Sequence, residues 1–332
     1  MGRVVVGILA IFGIWMVWWA IGQFSHQKGL EAWIEARRAE GWVADVAELD
    51  TVGFPSRFDT TLTEVNLADP ATGVAWAAPF VQFLSLAYKP TQVIAVLPEE
   101  HKFSTPLQTL TITHSEAKAS LFLKPSTSLA LDRARLVIDT LDISSTLGWD
   151  ATLREGRFAA EEIDTDNTYR VGAEVLELRP SDEVRDLLDP AGILPDAVQS
   201  LRLDATLGFD DPWDRYALED ARPQVRTLDL DNLSARWGDV TFRAAGELSV
   251  DDVGVPDGRI TIKAVEWRQM LQMAVNAGVL PEAFVTTAES ALGLLAALSG
   301  DPDTIDVPLS FEGGRMSLGP VPLGPAPRIV IR

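Results

Sequence analysis

The run from Val4 to Ser25 contains no ionisable side chain. A helix over this run, at about 1.5 Å per residue, would be roughly 33 Å long, which matches a hydrocarbon core of about 30 Å. Arg3 precedes the run, and tryptophans, whose amphipathic rings favour the headgroup level, stand near its end. The run therefore predicts a transmembrane anchor over residues 4–25, behind a cytoplasmic stub of residues 1–3. The anchor residues are Val4, Ile8, Ile11, Trp15, Trp18 and Trp19.

The cleavage and the orientation of this anchor stay open. A cleaved secretory signal is the alternative, because residues 20–22 (Ala-Ile-Gly) offer small side chains two positions apart, although signals have a shorter apolar region of about 7–15 residues. Lys28, Arg37 and Arg38 follow the run, and cations tend to stay in the cytoplasm, which argues against export of the body. We still expect export, because acidic residues are interleaved with these cations and the body is rich in strand patterns.

The composition narrows the functions that the chain can perform. Its net charge is −20, so phosphate backbones and anionic headgroups repel its surface, and nucleic-acid binding is not expected. Membrane attachment must then come from the apolar run. Because the chain has no cysteine, it has no disulfide, no thiolate nucleophile and no cysteine-zinc site. The hydrophobic fraction of 47% is that of a folded protein.

Alternation of apolar and polar residues predicts antiparallel strands through most of the chain after Trp42. The clearest example is Leu201–Phe209, in which every second residue is apolar and points to one face. In the stretch 228–237 the phase slips at Asn232, as a β-bulge would produce. The dipeptide at 238–239 (Gly-Asp) then predicts a hairpin. These patterns predict meandering strands that each have one apolar face.

Helical patterns interrupt the strands at three places. A short helix is predicted over 28–41, and Ser181 is a plausible N-cap for another that ends near Pro190. Near the C-terminal end, apolar residues at helical spacing predict a helical hairpin from Trp267, with its second helix opened by Pro281. Residues 42–332, which include the last two of these helical regions, are predicted to form one β-rich body, with a weak domain boundary near 180–200.

The predicted fold class is mainly β (α+β): a large antiparallel, curved sheet or incomplete barrel, with an N-terminal transmembrane helix and a C-terminal helical hairpin. The apolar face of such a sheet must be covered by a second layer or hold a hydrophobic ligand. The helical hairpin would accordingly be a second layer or the lid of a groove for acyl chains. The residues of this candidate groove or lid are Leu201, Leu203, Leu207, Phe209, Phe242, Trp267, Leu271, Phe284, Leu292 and Leu295.

Sequence templates for catalysis are missing. The chain has no phosphate loop, no dinucleotide fingerprint and no nucleophile elbow. His26, His101 and His114 are too dispersed for a local metal motif and are expected to be solvated or singly bonded. The stretch 164–167 (Asp-Thr-Asp-Asn) begins like a calcium loop, but Tyr169 stands where the loop requires glycine and Val175 where it requires glutamate. We therefore predict no catalytic residue, no cofactor and no metal ligand, and we do not expect an enzyme.

The stretch Gly53-Phe54-Pro55-Ser56-Arg57-Phe58, with 76–79 (Trp-Ala-Ala-Pro) and the Gly-Pro-rich segment 318–327, resembles the DUF2125 family of uncharacterised, membrane-anchored alphaproteobacterial proteins. The resemblance covers nearly the whole chain and transfers no catalytic residue. In architecture the chain is also similar to AsmA-like envelope proteins, which are implicated in lipid traffic and outer-membrane homeostasis. As a structural motif, Gly53, Phe54, Pro55 and Arg57 predict a tight turn with Phe54 buried and Arg57 in a salt bridge.

Together these features predict a protein that crosses the bacterial inner membrane once and carries its body in the periplasm. Its expected role is non-enzymatic: binding or handling a lipid or another hydrophobic envelope component. The first alternative is a scaffold or assembly factor that binds another envelope protein. A hydrolase of an envelope polymer is the third, because converging carboxylates leave no trace in sequence.

Overall fold

A computed structural model describes residues 2–163, 165–219, 222–278 and 285–331. It confirms the mainly β fold class, with 53% strand and 22% helix. The helices are α1 (Gly2–Ala39), α2 (Asp182–Leu188), α3 (Arg215–Glu219), α4 (Trp267–Asn276) and α5 (Val285–Ser299). The strands are β1 (Val43–Asp45), β2 (Glu48–Val52), β3 (Arg57–Asp69), β4 (Val74–Leu86), β5 (Lys89–Val96), β6 (Glu100–Ser104), β7 (Thr109–Leu123), β8 (Leu131–Ser145), β9 (Asp150–Glu162), β10 (Thr168–Leu178), β11 (Val198–Phe209), β12 (Val225–Trp237), β13 (Val240–Val250), β14 (Pro256–Val265), β15 (Thr304–Glu312), β16 (Arg315–Leu318) and β17 (Val321–Pro325).

Contacts divide the chain into two compact units. Unit 1 comprises Met1–Pro125 and Leu136–Gly148, and unit 2 comprises Ser126–Arg135 and Trp149–Arg332. All three histidines belong to unit 1. The segment around residues 180–200 lies inside unit 2.

Helix α1 of unit 1 is continuous, so the predicted anchor and the predicted short helix over 28–41 are one helix. No proline interrupts residues 2–39, and the helix ends at Ala39, two residues before Gly41, whose φ of 92° is the left-handed conformation typical of the residue that follows a helix C-terminus. Its most apolar 18-residue window has a mean hydropathy of 2.4 and is 0% buried. Among the described residues, α1 is the one helix long and apolar enough to cross a membrane.

The sheet of unit 1 is built around the long antiparallel pair β3–β4, which runs from Arg57↔Leu86 to Asp69↔Val74. Strands β1 and β2 both pair with β3. Strands β5 and β6 both pair with β4 and with β7, so these four strands make a closed circuit of pairings. The shared partners place β5 and β6 end to end in one line of the sheet, which is interrupted at residues 97–99.

Alternation along β3 buries one face of the unit 1 sheet. Phe58, Thr60 and Leu62 are buried at every second position, as the period of a strand requires. The C-terminal half of α1 packs on this side through Ile34, which joins the main apolar cluster of the unit. The buried members of that cluster are Ile34, Ala44, Leu62, Val65, Ala78 and Val81.

Unit 2 contains an antiparallel meander from β9 to β17, in which each strand pairs with the next. The predicted bulge is confirmed, because the β12–β13 register shifts between Leu230 and Leu233. The predicted hairpin is confirmed by the pairing of Trp237 with Val240. The apolar stripe of β11 packs with its neighbours around the buried Ala205.

The helices of unit 2 confirm the predicted N-cap and cover the sheet. Ser181 Oγ accepts a hydrogen bond of 3.3 Å from the backbone N–H of Val184 at the start of α2. Helices α4 and α5 pack on β14 and β15 around Trp267 and Ala296, which are 2% and 0% exposed. The predicted opening of the second helix at Pro281 falls outside the described residues.

Candidate functional site

The tryptophans at the end of the apolar run form hydrogen bonds to the body of unit 1. Each indole N–H donates to a backbone carbonyl at one end of the sheet. The bonds are Trp15 Nε1 to Pro55 O (2.7 Å), Trp18 Nε1 to Ala87 O (3.1 Å) and Trp19 Nε1 to Arg57 O (2.9 Å). In contrast, Val4, Ile8 and Ile11 are 66%, 61% and 71% exposed. Protein therefore covers only one face of the later part of the predicted anchor, where Val17 and Ile21 are still 60% and 57% exposed.

The same face of α1 continues this pattern along β2, which the described pairings make an edge strand. Gln23 Nε2 donates to Thr51 O at 2.8 Å, and Gln27 Nε2 donates to Leu49 O at 3.2 Å. The spacings match, since four helical residues rise about 6 Å and two strand residues about 6.6 Å. Helix α1 thereby satisfies carbonyls that an edge strand leaves unpaired.

Gly22 allows α1 to approach β3 closely. A Cβ atom at this position would collide with the ring of Phe58, which is 1% exposed. The ring of Phe58 also lies 4.9 Å from that of His26 and 6.1 Å from that of Trp19. The donor stripe on α1 repeats every four residues, at Trp15, Trp19, Gln23 and Gln27, and this spacing is the sequence signal that could have predicted the docking.

The Gly-Phe-Pro turn departs from the sequence prediction at Phe54. The ring was predicted to be buried, but this is wrong: it is 44% exposed. The turn projects past the strand ends, so the ring meets α1 and not the core, at 5.3 Å from the ring of Trp19. Gly53 has φ 114°, and a Cβ there would meet Arg57. The predicted salt bridge of Arg57 is present, with Nε 3.0 Å from Oδ1 of Asp59.

An apolar cleft of about 280 Å³ lies next to Arg57 in unit 1. Arg57 pairs with Leu86, and Leu84 pairs with Ile94, so these side chains share one face of β3, β4 and β5. Among the described residues, the Nη atoms of Arg57 have no hydrogen-bond partner. The residues that line the cleft are Arg57, Leu84, Ser85, Leu86, Gln92, Val93, Ile94 and Phe122. We call this the Arg57 cleft; it combines an apolar floor with one guanidinium at the rim.

A second apolar cleft, of about 270 Å³, lies in unit 2 between the sheet and α4. Its lining contains no polar side chain, and it includes Leu201 and Phe242 from the predicted groove. Met270 and Met273 reach it from α4, and thioether side chains adapt readily to irregular space. The complete lining is Val198, Leu201, Ala235, Trp237, Val240, Phe242, Met270 and Met273.

The other residues of the predicted groove are dispersed. Trp267, Leu271 and Leu292 fill the cluster under α4 and α5, and Leu203 packs in the cluster around Ala205. Leu207 pairs with Leu228, Phe209 contacts the rings of Tyr169 and Trp213, and Leu295 lies beside Gly319. Phe284 lies outside the described residues. In the part of the chain that the structure describes, most of this set therefore packs as core, and Leu201 and Phe242 line the unit 2 cleft.

A buried histidine pair in unit 1 was missed by the sequence reasoning. His101 and His114 were expected to be solvated or singly bonded, but they are 8% and 6% exposed, with ring centroids 5.5 Å apart. Among the described residues, Nδ1 of His101 and both ring nitrogens of His114 have no hydrogen-bond partner. Burial lowers the pKa of His101, with a further contribution from His114, and burial also lowers the pKa of His114.

These histidines lie beside the interruption between β5 and β6. His114 lines a cleft of about 520 Å³ there, together with Pro79, Pro98 and Glu99. The backbone N–H of His114 donates to Glu99 O at 2.9 Å, which keeps the interrupted line attached to β7. In the part of the chain that the structure describes, no group of three or more His, Asp or Glu side chains could hold a metal ion. Two rings alone do not make such a site.

Comparison with known proteins identifies one family. Residues 19–327 match the family described as an uncharacterized protein conserved in bacteria (DUF2125). The match begins at Trp19, within the docked part of α1. No curated protein and no solved structure matches the chain.

Proposed function

The chain belongs to the DUF2125 family, and we propose that it is a single-pass inner-membrane protein that binds a lipid or another amphiphile of the cell envelope. Its body lies in the periplasm, and its role is to bind or handle this component without catalysing a reaction. The apolar first part of α1 supports the anchor. The strand-rich body behind that anchor supports the likeness to AsmA-like envelope proteins.

The Arg57 cleft carries this proposal. An acyl chain requires an apolar floor, which Leu84, Leu86 and Ile94 provide. An anionic headgroup requires a cation within reach, and the unpartnered Nη atoms of Arg57 offer a planar fork for phosphate or carboxylate. The cleft is thus amphipathic in the same sense as a lipid, whereas the unit 2 cleft offers only apolar contacts.

Bound lipid is the direct measurement. Full-length protein purified in a mild detergent should carry phospholipid that native mass spectrometry detects. In the variant Ile94→Asp the bound fraction should fall roughly tenfold, a loss of about 1.4 kcal/mol, because a carboxylate in the floor repels the headgroup and resists burial.

Leu233→Asp is the matched control, because Leu233 lies mid-strand in unit 2 and is 39% exposed, against 41% for Ile94. It should retain the bound lipid. A wild-type protein free of lipid, or equal loss in both variants, would refute the assignment of the ligand to this cleft. Purification with a stoichiometric protein partner and no lipid would instead favour the scaffold alternative.

A further inference from the structure

One end of the unit 1 sheet has a composition unlike the rest of this acidic chain. The turns after β2 and β4 and the end of β7 all lie at this end, because Val52 pairs with Asp59, Arg57 with Leu86, and Gln92 with Phe122. The segments 51–58, 84–93 and 121–125 at this end contain no Asp or Glu, although the net charge of the chain is −20. Asp59, which pairs with Val52 and Leu84, flanks these segments and forms a salt bridge with Arg57. We call this region the acid-free end.

Apart from Ser56, the exposed side chains of the acid-free end are apolar, aromatic or cationic. Val52, Phe54 and Tyr88 are 53%, 44% and 60% exposed. Arg57, Lys89 and Lys124 stand in the same three segments. Aromatic rings beside cations are characteristic of surfaces that lie at a membrane–water interface.

The hydrogen bonds between α1 and the sheet fix the position of the acid-free end along the axis of α1. Trp15 bonds Pro55 O and Gln23 bonds Thr51 O, so the acid-free end lies beside residues 15–23 of α1. Helix residues 4–15 rise only roughly 17 Å, whereas a hydrocarbon core is about 30 Å thick. A crossing by α1 therefore requires helix residues up to about 23, and one face of this stretch already contacts the sheet end, while Val17 and Ile21 on the rest of its surface are 60% and 57% exposed.

We propose that the acid-free end lies in the outward-facing leaflet, with Phe54 and Tyr88 among the upper acyl chains and the cations among anionic headgroups. This inference rests on the proposed anchoring of α1 but not on a lipid in the Arg57 cleft. The body does not stand clear of the bilayer on a free helix; its end enters the leaflet beside the helix. The local charge is opposite in sign to that of the whole chain, which overcomes at short range the repulsion of anionic headgroups.

The indole bonds gain a specific role from this placement. Backbone carbonyls exposed to hydrocarbon are costly because no water can hydrogen-bond them. Pro55 O, Arg57 O and Ala87 O lie at the acid-free end and each accepts an indole N–H. The three tryptophans therefore satisfy the carbonyls of the turns that enter the leaflet, in addition to fixing the register of α1.

Site-directed spin labelling measures the depth directly, because the chain has no native cysteine. Full-length Phe54→Cys and Tyr88→Cys are labelled and reconstituted in vesicles of phosphatidylglycerol and phosphatidylcholine. Collision with oxygen, relative to a water-soluble nickel complex, reports depth. Leu107→Cys is the matched control, since Leu107 is 83% exposed in the turn between β6 and β7 at the opposite end of the same sheet.

The labels at positions 54 and 88 should favour oxygen, and the label at 107 should favour nickel. Phosphatidylcholine alone should make the labels at 54 and 88 shallower. A label at Ile8→Cys separates the two proposals. If position 8 reports lipid while 54 and 88 report water like 107, this inference is wrong and the anchor stands. If position 8 also reports water, the anchoring itself fails.

Discussion

Unit 1 and unit 2 cover their sheets with helices in different ways. In unit 1, side-chain N–H groups of α1 donate to backbone carbonyls, and Trp19 to Arg57 O and Gln23 to Thr51 O are examples. In unit 2, α4 and α5 pack through buried apolar side chains around Trp267 and Ala296. Hydrogen bonds are directional, whereas apolar packing is not. Helix α1 is therefore held in one register, while α4 leaves an apolar cleft lined by its methionines.

The difference teaches where specificity and adaptability reside in this molecule. A helix whose donors match strand carbonyls two residues apart cannot slide without leaving those donors unpaired. The contacts that α4 makes through Met270 and Leu271 can adjust by changing rotamers. The rigid contact belongs to unit 1, which also carries the candidate anchor.

The largest expected effect comes from Trp267→Ala in unit 2. Trp267 is 2% exposed and its Nε1 donates to Pro302 O at 3.0 Å, so truncation removes core packing and one of the two hydrogen bonds to that carbonyl, which Arg268 Nη1 also donates to. The expected loss is about 3–5 kcal/mol of the free energy of unfolding of this unit. Hydrogen exchange should accelerate in α4 and α5 while α1 remains protected.

Trp33→Ala is the control for that variant, because Trp33 is 46% exposed on α1 and should cost far less. An equal loss of protection in α1 and in α4 after the Trp267 substitution would contradict the view that apolar packing around Trp267 is a property of unit 2.

An intermediate effect is expected for Gly22→Leu in unit 1. The added side chain collides with Phe58 and should cost about 1–3 kcal/mol, with faster hydrogen exchange in β2 and in the docked half of α1. Gly29→Leu is the matched control, because no atom lies within 4 Å of a Cβ there and leucine favours a helix over glycine. If both variants melt alike, close approach at Gly22 does not hold α1 to the sheet.

The smallest expected effect concerns pH. Burial lowers the pKa of His101 and of His114 below the value of about 6.5 that a histidine has in the unfolded chain. The unfolded chain therefore binds more protons than the folded protein once the pH falls below about 6.5. The stability of unit 1 should be complete above that pH and should decline as the pH falls from 6.5 towards 5. Unit 2 has no histidine, and burial raises the pKa of its Tyr169 to about 12, far from this range.

Thermal unfolding at pH 7.5 and pH 5 measures this contrast. His114→Leu should reduce the acid sensitivity of unit 1 at little cost at pH 7.5, because neither ring nitrogen of His114 has a hydrogen-bond partner within the described ranges of the chain. An acid-induced decrease of the Tm that persists unchanged in this variant would show that other groups are responsible.

Much of the fold was predictable because its signals are local. The alternation in Leu201–Phe209, the phase slip near Asn232 and the N-cap at Ser181 each depend on neighbours within a few residues, and the structure confirms all three. The clefts were less predictable. Of the ten groove residues inferred from sequence, Leu201 and Phe242 line one, and the Arg57 cleft was not inferred.

The sequence by itself determined that residues 4–25 form an apolar helix and that most of the remainder forms one-sided strands, because both properties follow from the period of side chains along the chain. Only the tertiary structure decided that Trp15 bonds Pro55, that Phe54 is exposed and that His101 meets His114. In each case the partner lies on another strand or helix. Its position depends on strand register and helix docking, which no local pattern encodes.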